Sequence, residues 1–172
     1  MIQRFVMGIL ILMVHTIVHA QSAEENAREH LITVHAQFQQ ETERKLTSLW
    51  EEYEYLLGNL DSLKQSRLQK QSNQRSLKAH YKDMEWELDF ALKRIERAQQ
   101  RMCEAAGLAY RTKQLFKLKK YEDVRDNLKQ SLKLLMLSAA DCGDADHRLR
   151  KAEKFYFVSA QLYKELARKE RQ

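Results

Sequence analysis

The sequence predicts an all-α protein: a long antiparallel helical hairpin forming a coiled-coil stalk, with two shorter helices completing a four-helix head. Three observations predict it. Between Leu46 and Phe116 the apolar residues keep one seven-residue lattice, with Leu46, Tyr53, Leu60, Tyr81, Leu88, Ile95, Met102, Ala109 and Phe116 at its a positions. The d positions are Leu49, Leu56, Leu63, Leu77, Met84, Ala91, Ala98 and Ala105. This 3,4 spacing makes a narrow apolar seam that a second helix must cover. There is no proline, where average usage of roughly 5% would give about nine, so nothing of that kind interrupts long helices. Segments 24–70 and 75–118 are also nearly equal in length, so folding back buries each seam in the other.

Residues 1–20 differ from the rest. Arg4 supplies a positive start, Phe5 to Val14 is apolar except at Gly8, and Val18-His19-Ala20 suits cleavage before Gln21. That is the anatomy of a secretory signal peptide. The rival is an uncleaved anchor, but the run carries His15 and His19 and falls short of the ~20 apolar residues of a span. The expected product is a secreted, single helical domain over 21–172.

Helix one should begin near Ser22, whose hydroxyl can cap it with Glu25 three residues on. Its core face reads Ala27, Leu31, Val34, Phe38, Thr42 and Leu46, a 4,4,4 stutter. Gly58 falls at the outward f position, where it costs about 1 kcal/mol without ending the helix. The lattice then turns polar, with Arg67, Lys70 and Gln74 at core positions. A hairpin turn near Ser72-Asn73 competes with a single rod of about 105 Å paired to another chain. The equal arms favour the hairpin.

Helix two covers 75–118. At Lys119-Lys120-Tyr121-Glu122-Asp123 basic residues give way to acidic ones, as when one helix stops and another starts. Helix three, 121–140, carries Val124, Leu128, Leu132, Leu135 and Ala139 on one face, with Leu134, Met136 and Leu137 widening it. Asp141-Cys142-Gly143-Asp144 reads as a turn, with Gly143 at the left-handed C′ site and Asp144 as the next N-cap. Helix four, 144–168, follows through Leu149, Ala152, Tyr156, Tyr163 and Leu166, with Phe155, Val158 and Leu162 broadening its face. Helices three and four are expected to pack only on about 24–45 and 100–118. Residues 46–99 would then project as two helices. The stretch from Phe116 to Val124, with Leu128 and Leu132, resembles the middle of a tetratricopeptide repeat or a microtubule-interacting-and-trafficking domain over about sixty residues. Thr112 stands where glycine is usual and Val124 where alanine is, so the likeness is helix-hairpin grammar rather than kinship.

The formal charge of +6 becomes +5 once Arg4 is removed with the leader. Basic and acidic residues alternate, which describes a solvated face better than an anion site. An anionic surface is a weak second partner, and nucleic acid is not expected outside the cell. The sequence has no phosphate loop, nucleophile elbow, Cys-x-x-Cys or His-Glu-x-x-His. No catalytic, cofactor-binding or metal residue is therefore assigned. His30 and His35 are five apart, off the i,i+4 spacing of helical ligands, and read as surface or boundary residues. No asparagine starts a glycosylation sequon.

Two constellations remain. Cys103 and Cys142 are expected to form an intrachain disulfide across helices two and three, closing a loop of about forty residues worth roughly 3–4 kcal/mol. Trp86 and Phe90 sit four apart on the outer side of the stalk, followed by Lys93, Arg94 and Arg97, a composition common at binding hot spots. Tyr156 and Phe157 are expected in the head core. The function these features favour is non-enzymatic protein–protein binding, self-association included. The alternatives are an extracellular carrier of a small apolar ligand, lined by Leu134, Met136, Phe155 and Phe157, and a membrane-anchored or intracellular adaptor that keeps its leader.

Overall fold

The computed structural model describes residues 21–65, 75–118 and 120–169, with side chains for 29–65, 77–118 and 120–169. The described residues form three helices and no strand: α1 Gln21–Gln65, α2 Arg75–Lys117 and α3 Tyr121–Lys169. The leader, the cap at Ser22, the turn near Ser72-Asn73 and the polar lattice positions Arg67, Lys70 and Gln74 lie outside the described side chains.

The break between α2 and α3 falls where the charge pattern puts it. Lys117 closes α2, while Glu122 and Asp123 occupy the first turn of α3. The Lys120 N–H reaches back to the Leu115 carbonyl at 3.1 Å, satisfying an orphan acceptor at the end of α2. Phe116 and Tyr121 meet edge to face at 5.9 Å across the turn.

The expected second break, at 141–144, does not exist. A single α3 of 49 residues replaces helices three and four, so the four-helix head is corrected to three helices. Gly143 keeps a helical backbone on the exposed side, where a Cβ would meet nothing within 4 Å. Asp141 and Cys142, expected in a turn, are buried. A mid-helix glycine costs about 1 kcal/mol. Against this, Val124, Leu128, Ser131, Leu135, Ser138, Cys142, Ala145, Leu149 and Ala152 are all buried, in unbroken 4,3 alternation on either side of Gly143. Stopping the helix would forfeit that continuous face.

The described residues fall into two compact units, and each helix gives one stretch to each. The first combines α1 up to Lys45 with Ala98–Ala140. Its core is Phe38, Ala105, Leu135 and Ala139, with Met102 and Leu134 packed against it. The hydroxyls of Ser131 and Ser138 donate to the carbonyls of Ala105 and Ala98, both at 2.8 Å. Contacts this short bring α3 close against the alanine side of α2, and they run antiparallel. Thr42 satisfies its buried hydroxyl on the Phe38 carbonyl at 2.9 Å. Met136 and Leu137 were expected to widen the buried face but are exposed.

The second unit combines Leu46–Arg97 with the stretch of α3 from Asp141. Leu49, Leu56, Leu60, Leu77, Met84, Ile95 and Leu149 are its largest fully buried apolar side chains. Most lattice positions on α1 and α2 are thus core, while Tyr53, Leu63, Met102, Ala109 and Phe116 are half-buried. The stalk is not a bare two-helix one: α3 packs on it through wholly buried Ala145, Ala152 and Ser159. Those small residues carry little hydrophobic signal, which is why the third helix was misplaced. Phe157 is 56% exposed, so it is not core, and Tyr156 is half-buried.

No disulfide joins Cys103 and Cys142. The expected bond relied on a flexible turn at Cys142. In a continuous helix Cys142 is held on the buried face of α3 in the second unit, while Cys103 is exposed in the first.

Candidate protein-binding surface

The a/d lattice turns Trp86 outward from α2, and one helical turn later Phe90 lies beside it. Their rings meet edge to face with centroids 4.6 Å apart. Trp86 remains 59% exposed, whereas Phe90 is half-buried. Two cations flank Phe90: the Arg148 guanidinium of α3 at 5.1 Å and the Lys93 ammonium at 5.6 Å from its centroid. Both lie within cation–π range of the ring.

Each cation is held by a carboxylate. Arg148 Nη1 donates to Glu87 Oε2 at 2.9 Å, and Lys93 donates to Asp89 at 2.6 Å. Glu87 is 8% exposed, with Lys151 also 3.9 Å away. One helical repeat along, Arg94 pairs with Asp141 at 3.0 Å and with exposed Asp144 at 3.5 Å. The pairs Glu87–Arg148 and Arg94–Asp141 step by one heptad in opposite directions on the two helices and fix their antiparallel register. Burial pairs these charges closely, while Lys93, Lys151 and part of Arg148 still face water.

The structure brings together Trp86, Phe90 and Lys93 as the sequence suggests. Arg94 turns toward α3 instead. Arg97 is exposed on the same helix, with no pairing to the patch. Glu87, Asp141 and Arg148 were missed. Their signal was present as two opposite-charge pairs one heptad apart, but it is legible only if α3 passes through 141–144 as helix.

A different polar chain lies in the first unit. Ser131 spends its hydroxyl proton on the Ala105 carbonyl, so it accepts from His35 Nε2–H at 2.6 Å. This one chain links all three helices there. His35 is buried rather than at the surface, and that burial lowers its pKa below 6.5. Burial raises the phenols of Tyr53 and Tyr81 above 10, with Asp89 and Glu96 adding to the first and Tyr163 to the second. Raised phenols stay protonated at neutral pH and offer no base. Among the described residues no cluster of His, Cys, Asp or Glu could hold a metal ion. The carrier candidates are dispersed. Leu134 packs on the first core, Met136 and Phe157 face water, and half-buried Phe155 lies 6.1 Å from the His80 ring.

No protein-family model, curated protein or solved structure matches the chain.

Proposed function

We propose that this is a secreted, non-enzymatic helical protein that acts by binding another protein chain through the outer face of its helices. The observation carrying the proposal is Trp86, an indole 59% exposed whose ring meets Phe90 edge to face, while Arg148 and Lys93 lie over the Phe90 ring. A large aromatic held rigid before binding loses little entropy when covered, the property of a hot-spot residue. The leader-like composition of residues 1–20 supports secretion. Among the described residues no helix is long and apolar enough to cross a membrane. The Lys64–Glu85 ion pair supports α1 running back along α2 as a hairpin in the second unit.

The test is Trp86→Ala, alone and with Phe90→Ala. The single change should leave thermal melting almost unmoved, since exposed substitutions shift stability by about 0.5 kcal/mol or less. Burying such a side chain in an interface is worth roughly 1.5–3 kcal/mol, so partner capture or self-association should weaken tens-fold. The double change should also lower melting, because Phe90 is half-buried under Arg148. Unchanged binding by both variants, measured by sedimentation and by capture from the native fluid, would remove the basis for this function.

A further inference from the structure

Bases and acids alternate along this chain, but the two signs are not shared evenly between its parts. Residues 61–83 hold six bases and two acids, and residues 150–172 hold seven bases and three acids. Each stretch is therefore net +4, while the chain after its leader is +5, so everything else comes to −3. The second unit brings the described parts of the two stretches together, where α2 begins and α3 ends. The His80 and Phe155 rings lie 6.1 Å apart, and the Tyr163 phenol acts on that of Tyr81.

Three of these bases are engaged by acids outside the two stretches. Lys64 pairs with Glu85, Arg150 pairs with Asp146 at 3.0 Å, and Lys151 lies 3.9 Å from Glu87. With those three set aside, and with Asp61, Asp83, Glu153, Glu165 and Glu170 counted against the remaining ten, an excess of five positive charges is left. Lys78, Lys82, Lys154, Lys164 and Arg168 are exposed and have no ion pair among the described residues.

Their placement selects the kind of anion. Lys78, Lys82 and Glu85 follow at i, i+4 and i+7, so the two lysines share the side of α2 that meets α1 through Glu85 and Lys64. Lys154 and Arg168 stand two places past Ala152 and Leu166, about 200° round α3 from its packed face. The bases thus occupy two different sides of one end, and along α3 they span about 21 Å at 1.5 Å per residue. A flat bilayer meets one such side at a time, whereas a flexible polyanion follows both. Phe157, 56% exposed, lies three residues past Lys154 and offers an aromatic face to a sugar ring.

We infer that this end of the second unit binds a sulfated polysaccharide. The inference goes beyond the protein-binding surface at Trp86 and rests on the secreted reading alone, which places the protein where such polymers are the abundant polyanion. Ammonium and guanidinium groups meet sulfate oxygens, and counterions condensed on the polymer are released, so binding weakens as salt rises.

The experiment measures binding of the purified protein to immobilised heparin by surface plasmon resonance across a salt series. Wild type should bind, with affinity falling steadily as salt rises. Lys78→Glu with Lys82→Glu, and Lys154→Glu with Arg168→Glu, should each weaken binding by about tenfold or more, and all four together should abolish it. Lys113→Glu with Lys117→Glu makes the same charge change as either pair on exposed residues of the first unit, and should leave affinity within about twofold of wild type. All these variants should melt as wild type does, because every changed side chain is exposed. No binding by wild type at low salt, undiminished binding by the quadruple variant, or an equal loss in the first-unit pair would each overturn the inference. Wild type that binds vesicles of phosphatidylserine and phosphatidylcholine but not heparin would assign this end to a membrane and overturn it as well. Trp86→Ala should keep wild-type affinity for heparin, so failure of the polysaccharide site and failure of the protein-binding surface are told apart.

Discussion

His35 shows how one side chain can tie a structure to pH. Its Nε2–H donates to Ser131, whose hydroxyl serves the Ala105 carbonyl, and burial disfavours the imidazolium. The folded pKa therefore lies below 6.5, lowered by the burial that desolvates the charged ring. As pH falls below 6.5 the unfolded chain takes up the proton first. The stabilisation contributed by the neutral ring is complete above that pH and is lost as pH falls through the folded pKa. Each tenfold lowering of proton affinity corresponds to about 1.4 kcal/mol. Urea unfolding should show stability falling from about pH 7 to pH 5, and His35→Gln should flatten that slope while costing stability at pH 7. An identical slope in the variant would mean that other groups carry the dependence. Sequence spacing classed this histidine as peripheral because it judged only metal geometry. Val34, its neighbour, was assigned to the core, yet it is half-buried while His35 is buried. A polar ring scores poorly as core until its hydrogen-bond acceptor, 96 residues away, is known.

At the scale of the helix, α3 is where local and tertiary preferences conflict. Asp-Cys-Gly-Asp is good turn chemistry, and reading it alone gives a break. The helix continues because both flanking stretches place small and apolar residues on one buried face, and because Asp141 finds Arg94 on α2 at 3.0 Å. Gly143→Ala tests this directly. In a helix with open space around the Cβ it should stabilise the protein by about 0.5–1 kcal/mol, read as a higher midpoint in thermal or urea melting. In a left-handed turn the same change would destabilise it. A lower midpoint would therefore restore the four-helix arrangement. The α2–α3 boundary was legible because no such conflict exists there: charge, capping hydrogen bonds and the Phe116–Tyr121 contact all agree.

Across the whole molecule, the thiols report which architecture is present. Cys103 is exposed and Cys142 buried, with no bond between them. Under native conditions an alkylating reagent should modify Cys103 quickly and Cys142 only after denaturation, and Cys103→Ala should leave melting nearly unchanged. Two joined peptides in a non-reducing map, or a marked loss of stability in that variant, would contradict this arrangement. The sequence by itself determined the helical class, most core positions of α1 and α2 from Leu46 to Ala105, the α2–α3 boundary and the outward placement of Trp86. These follow from periodicity and from breakers, which act locally and leave their mark on consecutive residues. Tertiary structure decided that α3 is continuous, that it covers the seam beyond Leu46, and that Arg148 closes over Phe90. Those outcomes depend on small buried residues such as Ala145, Ala152 and Ser159, and on charges such as Glu87. Their energies exist only when a partner helix excludes water from them, so no local pattern announces them.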